Sequence, residues 1–573
     1  MSGMNPSTTD GPPHAGPSET VRERLRELLP GRADWNQIRR RPGHDVIAGL
    51  TVAIVALPLA LAFGISAGMG AQAGLITAIV AGSLAAIFGG SNLQVSGPTG
   101  AMAVILVPVV RAHGVNGVLT VGMLAGVILI AAGVLRAGRA ARYLPVPVIE
   151  GFTAGIAVVI ALQQVPAALG LAGHGHKVWQ AAAHAVATFV HHPHAAPFMM
   201  ALAVAAGMLA AARWRPAVPF SLLAVAAATV AAQVLPLHMP TIGALHAGLP
   251  APTLSFLDAN TIGALLPSAC AVAALAALES LLSATVADGM TVGHKHHPDR
   301  ELVGQGIANL GAALFGGMPA AAAIARTAVN VRAGASSRLA AFVHAGAIAA
   351  IVFSLSGLVS KIPLAALAGV LLATCVRMVE VGSLMALVRS TRGDAVVLGL
   401  TLVVTVAFDL VTAVAVGVAV AVVLALREVA RHSRLEQVPL DTGDHAAEEH
   451  ELLSEHIVAY RLDGPLFFAA AHRFLLELSG IATVKIVILR MSRITTLDAT
   501  GARVLDDAIA RLEHRGIAVL LSGIHDRHDQ ILTRLGVADH LRASGRIFAD
   551  TRAAITYARA LIHLDGTPPR VAD

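Results

Sequence analysis

The chain has 573 residues, 55% hydrophobic and 13% charged, with a formal net charge of +6 and a mean hydropathy of +0.71. This excludes a water-soluble globule, and the scarcity of aromatic residues beside 54 glycines favours helices packed through small residues over a membrane β-barrel. The basic excess asks for no nucleic acid, because the arginines fall where cytoplasmic loops are expected.

Residues 1–44 are polar, carry Pro and Arg, and lack the apolar stretch of a signal peptide, so this end is expected to stay in the cytoplasm. From 46 to 110 there is no Asp, Glu, Lys or Arg, which is room for at least two spans. Apolar runs predict membrane helices near 46–66, 72–88, 115–135, 148–165, 196–212, 217–235, 262–287, 303–315, 338–356, 363–378, 394–408 and 410–426. Two shorter segments, 97–111 and 320–332, follow Gly- or Pro-bearing stretches and bring the expected number to fourteen. Basic clusters at 22–41, 136–142, 213–215, 295–300, 332–338, 377–392 and 427–434 all fall on one side of this topology. The other side receives a His-rich loop (His174, His176, His184, His191, His192, His194) and the stretch 238–258. An even number of spans puts both termini in the cytoplasm.

The run Leu84-Ala85-Ala86-Ile87-Phe88-Gly89-Gly90 is echoed by Gly311-Ala312-Ala313-Leu314-Phe315-Gly316-Gly317, and each copy precedes one short segment. Seven spans per copy is an odd number, so the second copy is inverted. The membrane domain is expected over 45–430, followed by a linker over 431–451. Strands at 457–462, 485–491 and 517–522 alternate with helices at 470–479, 500–515, 526–535 and 550–563, which predicts a small α/β domain over 452–565 before a tail at 566–573.

The first short segment opens Ser96-Gly97-Pro98-Thr99-Gly100, with Pro98 suited to an early helical position, and the second opens Met318-Pro319-Ala320-Ala321. Half-helices starting mid-membrane would aim their free N–H groups and positive dipole ends at one place, which then attracts an anion. Arg326, about two turns into the second segment, needs a counter-charge or a water-filled path. Glu279 is the lone acid of 271–287, with Ser283 one turn later on the same face. An intramembrane carboxyl is by default a proton carrier or cation ligand. Glu150 and Asp409 lie near helix ends and read as structural. The irregularly spaced histidines, without cysteine company, read as solvated loops and not as a metal site, and Cys270 and Cys375 sit in apolar runs that give no disulfide framework. No nucleotide-binding or nucleophile motif is present, so neither an enzyme nor a cofactor is expected. In Thr495-Thr496-Leu497-Asp498-Ala499-Thr500-Gly501, Thr500 reads as a helix N-cap, with phosphorylation or docking as the alternative.

With these residues in view, residues 45–564 resemble the sulfate permease (SulP) family of anion transporters. The likeness rests on Asp45-Val46-Ile47-Ala48-Gly49-Leu50-Thr51, Ser96-Gly97-Pro98-Thr99-Gly100, Arg326-Thr327-Ala328-Val329-Asn330, and a carboxy-terminal domain similar to STAS with its Asp498-Ala499-Thr500-Gly501 turn. It implies a fourteen-segment inverted repeat split into core and gate domains, an anion held between two half-helices, and a homodimer in the bilayer of the bacterial inner membrane. It places Phe63, Thr99, Gly100, Ala101, Ala325 and Arg326 at the anion site, and Glu279 and Ser283 at the coupling position, where the cyanobacterial bicarbonate branch has Asp and Thr for sodium. Leu57-Pro58-Leu59-Ala60-Leu61-Ala62-Phe63-Gly64 is similar to that branch. The expectation is proton-coupled, elevator-like secondary transport of a bicarbonate- or sulfate-class anion. The alternatives are sodium-coupled bicarbonate or dicarboxylate symport, uncoupled exchange or a channel, and a membrane regulator acting through STAS. A nucleobase permease of the same fold is disfavoured by Arg326 and by the STAS-like domain.

Overall fold

The computed structural model describes residues 28–31, 34–35, 37–39, 41–139, 145–171, 177–214, 220–235, 237, 239–246, 248–291, 295–408, 410–432, 434–437, 456–466, 484–497 and 499–563. The chain divides into two compact units, Met1–Val418 and Ala419–Asp573.

The first unit is helical, and its last helix runs on past the unit's end at Val418. Its elements are α1 (Pro42–Ser66), α2 (Ala71–Phe88), β1 (Ser96–Gly97), α3 (Gly100–Val134), α4 (Val146–Ala168), α5 (Val178–His191), α6 (Ala195–Trp214), α7 (Phe220–Val234), α8 (Ala259–Met290), α9 (Pro298–Leu314), β2 (Ala321–Ala322), α10 (Ile324–Arg332), α11 (Leu339–Val359), α12 (Leu364–Met378), α13 (Val381–Ser390), α14 (Arg392–Ala407) and α15 (Leu410–His432). Eight helices among the described residues are long and apolar enough to cross a membrane. α3 breaks at Gly114, where φ is +67°, so it supplies two segments, and α7, α9, α10, α14 and α15 complete the fourteen. Two helices were not expected. α5 occupies much of the stretch read as a His-rich loop, and α13 lies where only a basic loop was foreseen. Both are amphipathic and short, at 14 and 10 residues well under the roughly 20 that a span needs.

The helices form two bundles. α1, α2, α3, α8, α9, α10 and α11 pack as the core domain, while α4, α6, α7, α12 and α14 form the gate domain. Small residues set the spacing: a Cβ on Gly74 would lie 2.0 Å from the Ala60 carbonyl oxygen, and one on Gly64 2.4 Å from that of Gly70. Glycine at both positions therefore lets α1 and α2 meet backbone to backbone. Likewise a Cβ on Gly306 would lie 2.6 Å from the Gly126 carbonyl, which explains the intimate packing of α9 on α3.

Polar ties close one end of the core. Asp45, fully buried at the start of α1, accepts from the amides of Ser336 (2.6 Å) and Ser337 (3.0 Å) and from the Ser337 hydroxyl (2.6 Å). Asp34 accepts from Arg300 (2.8 Å) and pairs with Arg338 (3.4 Å). Although burial works the other way, the Gly31 amide and these two guanidinium groups hold the Asp34 carboxyl below the usual carboxylate range.

The second unit holds a five-stranded sheet in the order β3 (Arg434–Gln437), β4 (Ile457–Leu466), β5 (Ile486–Leu497), β6 (Ala518–Ser522), β7 (Ile547–Phe548), with β3 antiparallel and the rest parallel. Successive residues of β5 face opposite ways. Val487 and Leu489 pack with α16 (Ala499–His514) and α17 (Asp526–Leu535), whereas Ile486 and Ile488 pack with α19 (Thr551–His563); a short α18 (Asp539–Ala543) precedes β7. The expected linker 431–451 thus contains a strand that joins the sheet, because β3 finds hydrogen-bond partners in β4 that its sequence alone does not announce. The expected helix at 470–479 lies outside the described residues, as does Asp409. Thr500 is the second residue of α16 and so lies inside the first turn instead of at the N-cap.

Replacing Asp45 by Ala removes the acceptor of buried amide and hydroxyl donors and is expected to cost about 3 kcal/mol or more. Thermal unfolding in detergent checks this, with Asp45→Asn, which keeps an acceptor oxygen, losing less.

Candidate functional site

β1 and β2 are two residues each and pair antiparallel in the interior of the core, Ser96 opposite Ala322 and Gly97 opposite Ala321. The antiparallel sense sends the following helices out of opposite ends of the ribbon, so the N-termini of α3 and α10 point at each other across it. Both half-helices begin later than their sequences imply. Pro98 precedes the N-cap instead of occupying the first turn, because Thr99 caps α3, its hydroxyl accepting from the Met102 amide at 3.3 Å. Residues 320–323 are extended and α10 starts at Ile324, which brings Arg326 into the first turn.

The same Thr99 hydroxyl donates to Glu279 Oε2 at 2.8 Å, tying the carboxylate of α8 to the α3 N-terminus. Glu279 is half-buried, and it lies within the electrostatic field of Arg326. Arg326 is buried, donates through Nη2 to the Pro98 carbonyl at 2.8 Å, and fills the space beside Gly97, where a Cβ would lie 2.6 Å from Nη1. The guanidinium thereby spans from its own helix to the entry of the other. Gly100, the first residue of α3, is covered by the Phe63 ring and Ile160 of α4: a Cβ there would lie 3.1 Å from the ring and 2.4 Å from Ile160 Cδ1. Ala101 is buried behind it and Ala325 is exposed.

Seven of the eight membrane residues singled out from sequence are thus gathered around the ribbon by these contacts or by their places in the first turns of the half-helices. Ser283 differs. Its hydroxyl donates to Thr327 Oγ1 at 2.9 Å, and Thr327 in turn accepts from the Val95 amide at 3.1 Å. Ser283 therefore braces α10 and the β1 strand, one turn removed from the Glu279 carboxylate. Glu150 accepts from Ser383 at 2.9 Å. Nothing is described of the Thr500 side chain. Among the described residues no group of three or more His, Cys, Asp or Glu is placed to hold a metal ion, and Cys270 and Cys375 are free thiols.

The sequence reading overlooked what supports the ribbon. Glu301, Gln305 and Asn309 recur every four residues along α9, a polar stripe on one helical face. Glu301 accepts from the Gly90 (2.8 Å) and Ser91 (3.3 Å) amides, Gln305 donates to the Ser96 hydroxyl (2.6 Å), and Asn309 bonds both the amide (2.8 Å) and the carbonyl (3.0 Å) of Ala320. Ser280 accepts from the Ala322 amide at 3.1 Å, and Thr77 donates to the Met318 carbonyl at 3.0 Å. The four-residue spacing was the available signal.

Two discontinuous helices meeting head to head inside an inverted-repeat bundle define the class: a membrane transporter fold with its site at the repeat interface. The comparisons with known proteins agree. The sulfate permease family profile matches residues 43–401 and the STAS domain profile residues 452–554, so the chain belongs to the sulfate permease family and carries a STAS domain. YvdB of Bacillus subtilis, named as a sulfate transporter, is 34% identical over 86% of this chain and 93% of its own length. The bicarbonate transporter BicA of Synechocystis is 31% identical over 86% and 90%. The solved transmembrane domain of a cyanobacterial BicA superposes with a TM-score of 0.59 at 32% identity, covering 65% of this chain and 97% of that one. Murine Slc26a9 in the inward-facing state shares the fold at a TM-score of 0.81 and 19% identity, over 95% and 96% of the two chains.

Gly97→Ala places a methyl group on the seat of Arg326 at a φ of +157°, so it is expected to lower stability by about 1–3 kcal/mol. Melting of the purified protein reads the loss, and a wild-type melting temperature would show that the guanidinium has room to shift.

Proposed function

We propose that this protein is a secondary transporter of small inorganic anions of the bicarbonate or sulfate class, working as a homodimer in the bacterial inner membrane with both termini in the cytoplasm. The observation that carries the reading is the meeting of the α3 and α10 N-termini beside the buried Arg326, since helix amides, dipole ends and a guanidinium all favour a negative guest at one spot. The anion is read as lying against the first turns of α3 (Gly100, Ala101) and α10 (Ala325, Arg326), under Phe63, with Thr99 lending its hydroxyl through the bond to Glu279. The names of the relatives YvdB and BicA support this class of substrate.

Charge arithmetic at the site favours coupling to a proton. One guanidinium opposite one ionised carboxylate sums to zero, so an arriving anion would meet no net positive charge; a proton on Glu279 leaves the Arg326 charge to balance the anion. Sodium would require several oxygen ligands, whereas the hydroxyl on Glu279, that of Thr99, already accepts from the Met102 amide, and the Ser283 side chain turns to Thr327 instead. The core domain, braced by backbone-level glycine contacts, then carries proton and anion past the gate domain in an elevator-like stroke. The STAS domain is read as a regulatory module, with Thr500 in the first turn of α16 as its docking position.

Uptake of radiolabelled bicarbonate and sulfate into proteoliposomes tests the assignment. Arg326→Ala should abolish uptake of the transported anion while the protein stays folded; wild-type affinity and rate in this variant would remove the site from the argument. For coupling, an acidic exterior should drive accumulation in the wild type, and Glu279→Gln should keep anion exchange yet lose accumulation against a gradient. Uptake that follows a sodium gradient instead refutes the proton reading.

A further inference from the structure

His344 sits near the start of α11 with no exposed surface, and neither ring nitrogen has a hydrogen-bond partner. Nothing in the transport scheme above uses it. A buried polar group without a partner costs about 1–3 kcal/mol, so an imidazole that no protein group meets in an Ala-rich helix calls for an explanation.

Its surroundings supply one. α11 packs on α1 and α2. The next residue, Ala345, touches α2 at Gly82, where a Cβ would lie 3.7 Å from the Ala345 methyl and 3.3 Å from the Ser96 carbonyl oxygen of β1. α11 thus comes to the outer flank of the ribbon, and the Arg326 guanidinium occupies the ribbon beside the neighbouring Gly97. His344 and Arg326 lie within each other's electrostatic field. α2 contributes no charged or titratable side chain to this space, and α1 contributes only Asp45, bound to Ser336 and Ser337, and the exposed His44. Among these charged and titratable groups, Arg326 is the one whose field reaches His344.

We propose that His344 is a positioning residue for Arg326, its imidazole holding a buried water that fixes the guanidinium on the side away from the anion. The ring supplies an acceptor or a donor at either nitrogen as its tautomer requires, and a buried water is stable where it finds two to four such partners. Arg326 has five N–H donors in a rigid fork. A second point of support beyond the Pro98 carbonyl keeps that fork in one orientation, so less entropy is lost when an anion binds.

The inference rests on reading Arg326 as an anion-binding residue, and the experiment separates the two. Uptake of radiolabelled sulfate and bicarbonate into proteoliposomes is measured for the wild type, Arg326→Ala, His344→Phe, His344→Ala and His344→Gln. His344→Phe, which keeps the bulk and removes the polar atoms, should raise KM by about tenfold with maximal rate and melting temperature near wild type. His344→Gln, which can still hold a water, should return KM to within about threefold of wild type. His344→Ala serves as the second apolar probe if the Phe variant does not fold, and should match its KM. Wild-type KM in the apolar variants, while Arg326→Ala is impaired, overturns this inference alone. A Gln variant as impaired as the apolar ones also overturns it, by showing that ring shape is what matters. Wild-type KM in Arg326→Ala overturns the anion-site reading itself.

Discussion

From Gly89 to Thr99, and again from Phe315 to Ala323, the chain crosses the core without a helix of its own, and its peptide groups must find partners away from their own segment. In hydrocarbon each unmet group costs several kcal/mol, which is why irregular backbone at this depth is tolerated only when buried in protein. The two stretches partly solve the problem by pairing with each other, and α9, α8, α2 and α10 supply further partners through Glu301, Asn309, Ser280, Thr77, Thr327 and Asn330. Once the ribbon is fixed, the positions and directions of both half-helices follow. The meeting of two positive helix ends is then a by-product of satisfying the backbone.

The symmetry of that backbone is not matched by the side chains around it. At the α3 end a threonine hydroxyl links the N-cap to a carboxylate, whereas at the α10 end a guanidinium reaches across to the other helix. Two equivalent helix ends therefore present different chemistry: one titratable and hydrogen-bonded, the other permanently positive. Phe63 and Ile160 also lay an apolar cover over Gly100 at the α3 end.

Much of this could be read from the amino-acid order. The charge-free run to Arg111, the duplicated Gly-Gly motif and the Gly- and Pro-bearing stretches before two short segments are consequences of membrane burial and inversion, and they pointed at the stretches that pair as β1 and β2. What the sequence hid is of two kinds. Thr99, Arg326 and Ser283 have roles set by partners 180, 228 and 44 residues away, and no local pattern encodes such a distance. α5 and α13 were missed because, at 14 and 10 residues, each is shorter than the roughly 20 that a span needs. The strand Arg434–Gln437 went unseen for a similar reason, since four residues acquire strand identity only from the neighbour they join.

The ribbon also constrains the order in which the molecule can be made. Ser96 and Gly97 must wait for Ala321 and Ala322, over 220 residues further along the chain, and at a synthesis rate of about 5–20 residues per second that delay is on the order of ten to forty-five seconds. During this interval the first half has no strand partner, no α9 stripe to satisfy Gly90 and Ser91, and no Arg326 beside Gly97. A first half in this condition is poorly suited to lie exposed to lipid, so its extended stretch must linger in a wetter setting or in the care of insertion machinery until the second half arrives. Assembly of the bundle is thus a late, long-range event, and the nascent chain carries its most vulnerable segment longest.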